Sequence, residues 1–344
     1  MTRYIMLLWP HANARYQSET VHLAEAELAL MLDRLAPGTV ISRETGLSMP
    51  SLAMEFAGMP EPSVIEALRA HSLLYGLFEQ RDGLLSPVTG RMSARVGEDL
   101  PAILKYKGKT NEMFLQLLIN AALYAGDFWP RAGERLALLD PMCGRATSLF
   151  VAANCGWDAT GADVDKNDLK EAEKFFKRYL EYHRFKHAVS RESRTLKKGQ
   201  AQVTRFDYAP DAGAFKAGEG RSLSLINLDA AQAEPALGKN GFHIIACDLP
   251  YGVRHDAQLA RGVDRRGNWL ETLLMRALPG WKAMLKDGGT VAVSFNAQNM
   301  SLEKVRSLME AAGLQVLRGG ACDGFAHWVE QAITRDIAIA RKST

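Results

Sequence analysis

The sequence is poor in cysteine. Cys143, Cys155, Cys247 and Cys322 stand apart, without the paired spacing of a metal ribbon, so no metal site is expected. Four scattered thiols fit a reducing compartment better than a disulfide framework. No apolar run approaches the about 20 residues of a membrane span, and no signal-peptide pattern opens the chain. A soluble, cytoplasmic protein is the expectation. Net charge is small: 42 Lys and Arg against 39 Asp and Glu give +3. Any contact with nucleic acid must therefore rest on where charge is placed. Lysine is missing from the first hundred residues. Neither GxGxxG nor GxxxxGK[ST] occurs, which argues against a phosphate-bearing cofactor. There is no internal repeat and no low-complexity tract.

What is present is an ordinary globular composition, 47% hydrophobic and 24% charged over 344 residues. That length suits about two domains. Residues 1–100 alternate strand and helix patterns: strands at Tyr4–Trp9, Ser51–Phe56 and Leu73–Glu79, helices at 19–35 and Pro62–His71. This order suggests a small α+β module, ferredoxin-like in outline and able to bind RNA. Its lack of lysine speaks against it as the main grip on phosphate. A basic knot follows, Lys105-Tyr106-Lys107-Gly108-Lys109-Thr110-Asn111, and then an apolar helix from Met113 to Tyr124 with Asn111 or Thr110 as N-cap.

From about 101 to 344 the pattern is α/β. Leu136–Asp140 is a short apolar strand ending in an acid, followed by a turn and a helix at Ser148–Asn154. Ala159–Asp163 is a second strand ending in an acid. A β-turn-α-β unit implies a parallel sheet. A cationic helix at about 167–187 leads into an insertion at about 184–220, longer than ordinary α/β connections. Further strands are expected at Leu223–Asp229, Phe242–Ala246 and Gly289–Phe295. Helices are expected at Trp269–Leu285, interrupted near Pro279-Gly280, and at Leu302–Ala312. The runs at 314–317 and 332–340 could pair antiparallel.

Asp140, Asp163, Asp229 and Asp248 each fall at a strand end. In a doubly wound sheet those ends share one edge, so the four carboxylates would line one crevice. A nucleoside cofactor suits that crevice: Asp163 can accept ribose hydroxyls and Asp229 the adenine amino group. Asp207 competes for the adenine role, but the spacing from Asp229 to Asp248 leaves room for one short helix, which favours Asp229. S-adenosylmethionine carries a sulfonium cation and no phosphate, and carboxylates attract it. Cys143 and Cys247 are read as small buried thiols, and His243 as a core histidine with a backbone partner.

Asp140-Pro141-Met142-Cys143-Gly144 and Gly161-Ala162-Asp163-Val164-Asp165 resemble motifs one and two of class I S-adenosylmethionine-dependent methyltransferases. Asp248-Leu249-Pro250-Tyr251-Gly252-Val253-Arg254 resembles motif four of the tRNA guanosine-N2 enzymes of the guanosine-ten type, which read Asp-Pro-Pro-Tyr-Gly-Val-Arg. Gly108-Lys109-Thr110-Asn111 is similar to their Gly-x-Thr segment. The resemblance covers about 105–341. Two departures stand out: Gly144-Arg145-Ala146 replaces a glycine-x-glycine, and Leu249 replaces the first proline of motif four.

The resemblance implies a Rossmann-like seven-stranded methyltransferase sheet behind the smaller N-terminal module. It implies cofactor contacts from Thr110, Asp140, Pro141, Met142, Cys143, Gly144, Thr147, Asp163, Val164, Asp229 and Asp248, and a catalytic turn of Asp248, Leu249, Pro250 and Tyr251. Asp248 and the Leu249 carbonyl would accept the two hydrogens of an exocyclic amine, and Tyr251 would stack on an extruded base. Lys105, Lys107, Lys109, Arg254, His255, Arg265 and Arg266 are the candidate RNA contacts. The expected partner is RNA, tRNA in particular, with N2 of guanosine as the acceptor. Adenine N6 or cytosine N4 in DNA or RNA stays open, as does an inactive cofactor-binding RNA-binding protein.

Overall fold

The computed structural model describes residues 1–11, 14–196, 199–250 and 269–343. Tyr251 and the candidate contacts Arg254, His255, Arg265 and Arg266 lie outside the described residues.

Residues 2–90 form an antiparallel sheet with two helices. The elements are β1 (Thr2–Leu8), α1 (Ala14–Leu35), β2 (Val40–Glu44), β3 (Ser51–Phe56), α2 (Pro62–Leu68), β4 (Leu74–Arg81) and β5 (Leu84–Gly90). The sheet order is β2-β3-β1-β4-β5. Ile5, Met6, Leu52, Met54 and Leu77 of the inner strands are fully buried. β2 and β5, at the edges, are largely exposed and polar, so neither presents an apolar run and sequence patterning passes over both. The first six elements follow the β-α-β-β-α-β order of ferredoxin-like units.

α3 (Leu100–Ile103) leads into α4 (Glu112–Ala125), whose N-cap is Asn111: its Oδ1 accepts from the backbone N–H of Met113 and Phe114. Thr110 is thereby released for another role. One apolar cluster runs from the first sheet through α1 into α4. Glu27 of α1, 1% exposed, crosses it, accepting from Asn120 Nδ2 of α4 at 2.6 Å and from the Ser72 N–H at 3.0 Å. A carboxylate that deep is tolerated because each oxygen is hydrogen-bonded.

The second sheet holds β6 (Ala137–Asp140), α5 (Thr147–Asn154), β7 (Asp158–Asp163), α6 (Lys166–Tyr182), β8 (Lys186–Thr195), β9 (Gln200–Ala209) and α7 (Ala212–Lys216). It continues with β10 (Arg221–Asn227), α8 (Ala233–Leu237), β11 (Phe242–Asp248), α9 (Trp269–Met284), β12 (Leu285–Asn296) and α10 (Leu302–Ala311), and ends with β13 (Gln315–Val316), β14 (His327–Glu330) and β15 (Ile333–Arg341). The order is β13-β15-β12-β11-β6-β7-β10-β9-β8, with β14 paired to β15. β10, β7, β6, β11 and β12 are parallel, and β15 runs antiparallel beside β12. The chain winds outward from β6 in both directions, so the switch point lies between β6 and β11. This is a Rossmann-like α/β sheet.

Two expectations change. The insertion at about 184–220 is largely sheet, because β8 and β9 form a hairpin that extends the edge beyond β10. Phe206 and Tyr208 of β9 anchor it, their rings 5.2 and 5.4 Å from that of Phe176 on α6. Its arginines pair locally: Arg191 with Glu173, Arg194 with Glu192, Arg205 with Asp207. The helix at 269–284 also runs unbroken through Pro279. A proline clashes with the carbonyl four residues back, and Met275 is exposed, so that carbonyl can tilt toward water.

Candidate active site

The four acids come to the C-terminal edge of the parallel strands, and Asp140, Asp163 and Asp229 each hold a turn there. Asp140 closes β6 and is 4% exposed. Its carboxylate accepts from the Met142 N–H at 3.0 Å and from the Ser148 hydroxyl. Burial lifts its pKa to about 7. Asp163 closes β7 and accepts from the Gly144 N–H at 2.8 Å and the Asp165 N–H at 2.8 Å. It therefore ties the first turn to the second, and burial raises its pKa as well.

That first turn is tight. Gly144 has φ +50° and Ala146 φ +69°, both left-handed. Glycine takes such a backbone freely, whereas an alanine there is strained. Nothing lies within 4 Å of where a Cβ on Gly144 would be, so the turn keeps open space beside Asp163. Gly161 is the opposite case: a Cβ there would come within 2.6 Å of Cys143 Sγ and of Leu149 Cδ1. Arg145, the residue in the departure from glycine-x-glycine, is tied to the first turn of α6. Its Nε donates to Asp168 at 2.8 Å, and its guanidinium lies 4.7 Å from the centre of the Tyr106 ring. The Tyr106 hydroxyl is 3.3 Å from Thr147 Oγ1, so the 105–110 segment is strapped across the turn.

Asp229 follows β10, caps the Ala231 N–H at 2.9 Å and faces Arg276 at 3.7 Å. Asn227, which patterning does not single out, joins the two strand ends by donating to the Asp163 and Val164 carbonyls. Asp207 is placed elsewhere: its register partner is Ser222, at the start of β10, away from this edge. Strand direction thus leaves Asp229, and not Asp207, at the C-terminal edge.

Asp248 ends β11. Thr110 Oγ1 donates to its Oδ2 at 2.5 Å, and a guanidinium nitrogen of Arg335 is 3.8 Å from the same oxygen. Arg335, on β15, is 6% exposed and lies over the Phe114 ring at 4.2 Å. Leu249 is buried, and its N–H donates to the Ser294 carbonyl of β12 at 2.9 Å, which fixes the start of the turn. Pro250 follows, half-buried. Arg335 is absent from any motif; its only trace in the sequence is a cation inside an apolar C-terminal strand.

Cys143 and Cys247 are buried and burial pushes both thiols well above their ordinary value, so neither is a thiolate nucleophile. His243 accepts from the Ala137 N–H at 2.9 Å, and burial lowers its pKa to about 4. Lys105 and Lys107 are exposed. The Lys109 ammonium donates to the Pro101 and Ala102 carbonyls at 2.7 and 3.2 Å and pairs with Glu112, closing the end of α3. Among the described residues no group of three His, Cys, Asp or Glu is placed to hold a metal, and no helix is long and apolar enough to cross a membrane.

No family model matches the chain, and no curated protein matches it. Among solved structures it is similar to TrmN from Thermus thermophilus, at 15% identity over 99% of this chain and 100% of that one, with a TM-score of 0.44. It is also similar to magnesium protoporphyrin IX methyltransferase (ChlM) from Synechocystis PCC 6803 with bound SAM, at 13% identity over 69% and 87% of the two chains, TM-score 0.41. A third is a methyltransferase from Pyrococcus furiosus, at 14% identity over 70% and 89%, TM-score 0.40. Likenesses this slight bear on no substrate.

Proposed function

We propose that the chain transfers a methyl group from S-adenosylmethionine to the exocyclic amine of a base in RNA, with N2 of guanosine in tRNA as the acceptor. The observation that carries this is Asp248, delivered by β11 to the edge where Asp140, Asp163 and Asp229 also stand, and aimed by Thr110. The donor set fits the cofactor: the edge is acidic, and Gly144 leaves open space in the turn beside Asp163. Asp163 and Asp229 would take the ribose and adenine, and the turn from Pro141 to Gly144 the amino-acid end.

When bound, S-adenosylmethionine supplies a methyl on a sulfonium. The chain's own groups act on the amine. Its lone pair is delocalised into the base, and two acceptors, Asp248 and the Leu249 carbonyl, turn it out of conjugation by taking one N–H each. The proton leaves the amine once it is cationic, to Asp248 or to water. Arg335 and Thr110 hold the carboxylate in place for both tasks.

Nucleoside mass spectrometry of in-vitro transcribed tRNA incubated with enzyme and cofactor tests the reading. N2-methylguanosine that appears with the wild type and not with Asp248→Ala supports it, provided calorimetry shows that the variant still binds the cofactor. N6-methyladenosine or N4-methylcytosine in its place would move the acceptor. Loss of cofactor binding along with turnover would make Asp248 structural.

A further inference from the structure

The seam between the first sheet and the start of α4 carries features that methyl transfer does not use. Trp9, just past β1, and Tyr75, in β4, stand edge to face with ring centroids 5.0 Å apart. They are 40% and 49% exposed. The core beneath them is already filled by Leu8, Leu73 and Leu74, so these rings are not needed to close it. Trp9 and Met113 wall two hollows. One, of about 190 Å³, is lined mainly by apolar side chains, with His11, Thr20 and Ser72 among them, and reaches Asn111, the residue after the Thr110 that is bonded to Asp248. The other, of about 270 Å³, holds Arg69, Arg91, Glu98 and Glu112. Arg69 pairs with Glu66, Glu112 with Lys109, and Glu98 accepts from the Ala94 N–H. Arg91 has no ion pair among the described residues.

We propose that this seam is a second nucleotide subsite, in which an unpaired base next to the target stacks on the exposed face of one ring of the Trp9–Tyr75 pair and meets the other at its edge, while its phosphate meets Arg91. The inference rests on the reading of RNA as the substrate. Aromatic rings accept the face of any base, and an arginine fork suits a phosphate. Residues 2–90 contain no lysine and six arginines against ten Asp and Glu, so they cannot hold RNA by a general positive field. Stacking beside one guanidinium is the means left to them. The hollow brings the subsite to Asn111, whose neighbour Thr110 is bonded to Asp248, so a strand running from one to the other would present successive nucleotides.

The test is anisotropy of a fluorescein-labelled single-stranded oligoribonucleotide of about ten residues, with S-adenosylmethionine binding by calorimetry on every variant. One lost stack weakens binding about tenfold, so Trp9→Ala should show that loss while Trp9→Phe, which keeps a ring, stays near wild type. Arg91→Gln should lower the salt slope by about 1. All three should bind the cofactor as the wild type does. Wild-type affinity in both Trp9→Ala and Tyr75→Ala overturns the subsite, as does a concentration-dependent dimer that Trp9→Ala abolishes, since a second copy would then cover the seam. If Trp9-dependent RNA binding is found but no base is methylated, the subsite stands and the methyl-transfer reading falls. If RNA is methylated with a KM indifferent to Trp9, the reverse holds.

Discussion

Thr110 Oγ1 and Asp248 Oδ2 meet at 2.5 Å although 138 residues separate them in the chain. The contact joins the segment before α4 to the end of β11, and it exists because Asn111 caps the helix and leaves the threonine hydroxyl to point elsewhere. A hydrogen bond to a charged group is worth about 1.5–3 kcal/mol. Thr110→Val should therefore lower the single-turnover rate of methyl transfer by about ten- to a hundredfold, whereas Thr110→Ser keeps most of it. Urea melts of both variants should stay within about 1 kcal/mol of wild type if the bond aims the carboxylate rather than holding the fold.

Asp140 makes stability depend on pH in a direction opposite to that of most carboxylates. Burial raises its pKa from 3.8 to about 7, so the folded protein holds this proton more tightly than the unfolded chain does. The native state is thus favoured at acid pH and loses that advantage as pH rises from about 4 to about 7. Asp140→Asn cannot lose a proton and keeps an oxygen for the Met142 N–H. The stability difference between wild type and Asp140→Asn should grow in the variant's favour by a few kcal/mol between pH 5 and pH 8, read by urea melts at each. A difference independent of pH would mean that Asp140 ionises as it does in the unfolded chain.

The strands behind the site are legible because a parallel strand buried on both faces reads as an unbroken apolar run, and an acid at its end marks the edge. Leu136–Asp140 and Phe242–Asp248 are of this kind. The β8–β9 hairpin is not, since its outer face alternates charge with small polar residues and only Phe206 and Tyr208 hint at a sheet. The position of a candidate site residue was legible where one residue type at one strand end sufficed, as with Asp248. It was not legible where a partner comes from a distant element: Arg335 needs β15 to fold beside β12 before it can reach Asp248. Lys109 is a further case: the two carbonyls and the glutamate around its ammonium come into view only once α3 and α4 are placed.

Ala146 carries a cost that a glycine would not. At φ +69° the alanine methyl is strained by about 1–2 kcal/mol, offset in part by the burial of that methyl, about 0.8 kcal/mol. Ala146→Gly should leave stability within about 1 kcal/mol of wild type. Ala146→Val should lose more than about 2 kcal/mol, because a β-branched residue is excluded from this backbone and the position is wholly buried. Equal melting temperatures for the two variants would mean that the turn relaxes out of the left-handed region.

Gly161 fixes how closely β7 can approach the first turn. A methyl there would lie 2.6 Å from Cys143 Sγ and 2.6 Å from Leu149 Cδ1, both buried, so something must shift. Overpacking of this sort costs about 1–3 kcal/mol. The shift has one direction in which it harms the site: pushing Cys143 moves Gly144, whose N–H is bonded to Asp163. Gly161→Ala should thus lose stability by that amount and weaken S-adenosylmethionine binding together. Cys143→Ala removes the sulfur that the new methyl would strike. In the double variant part of both losses should return, giving a coupling of about 1 kcal/mol in the cycle. Strictly additive effects would place the clash on Leu149 and on the Cys143 Cβ, 2.8 Å from the new methyl and kept by the alanine, and not on the sulfur.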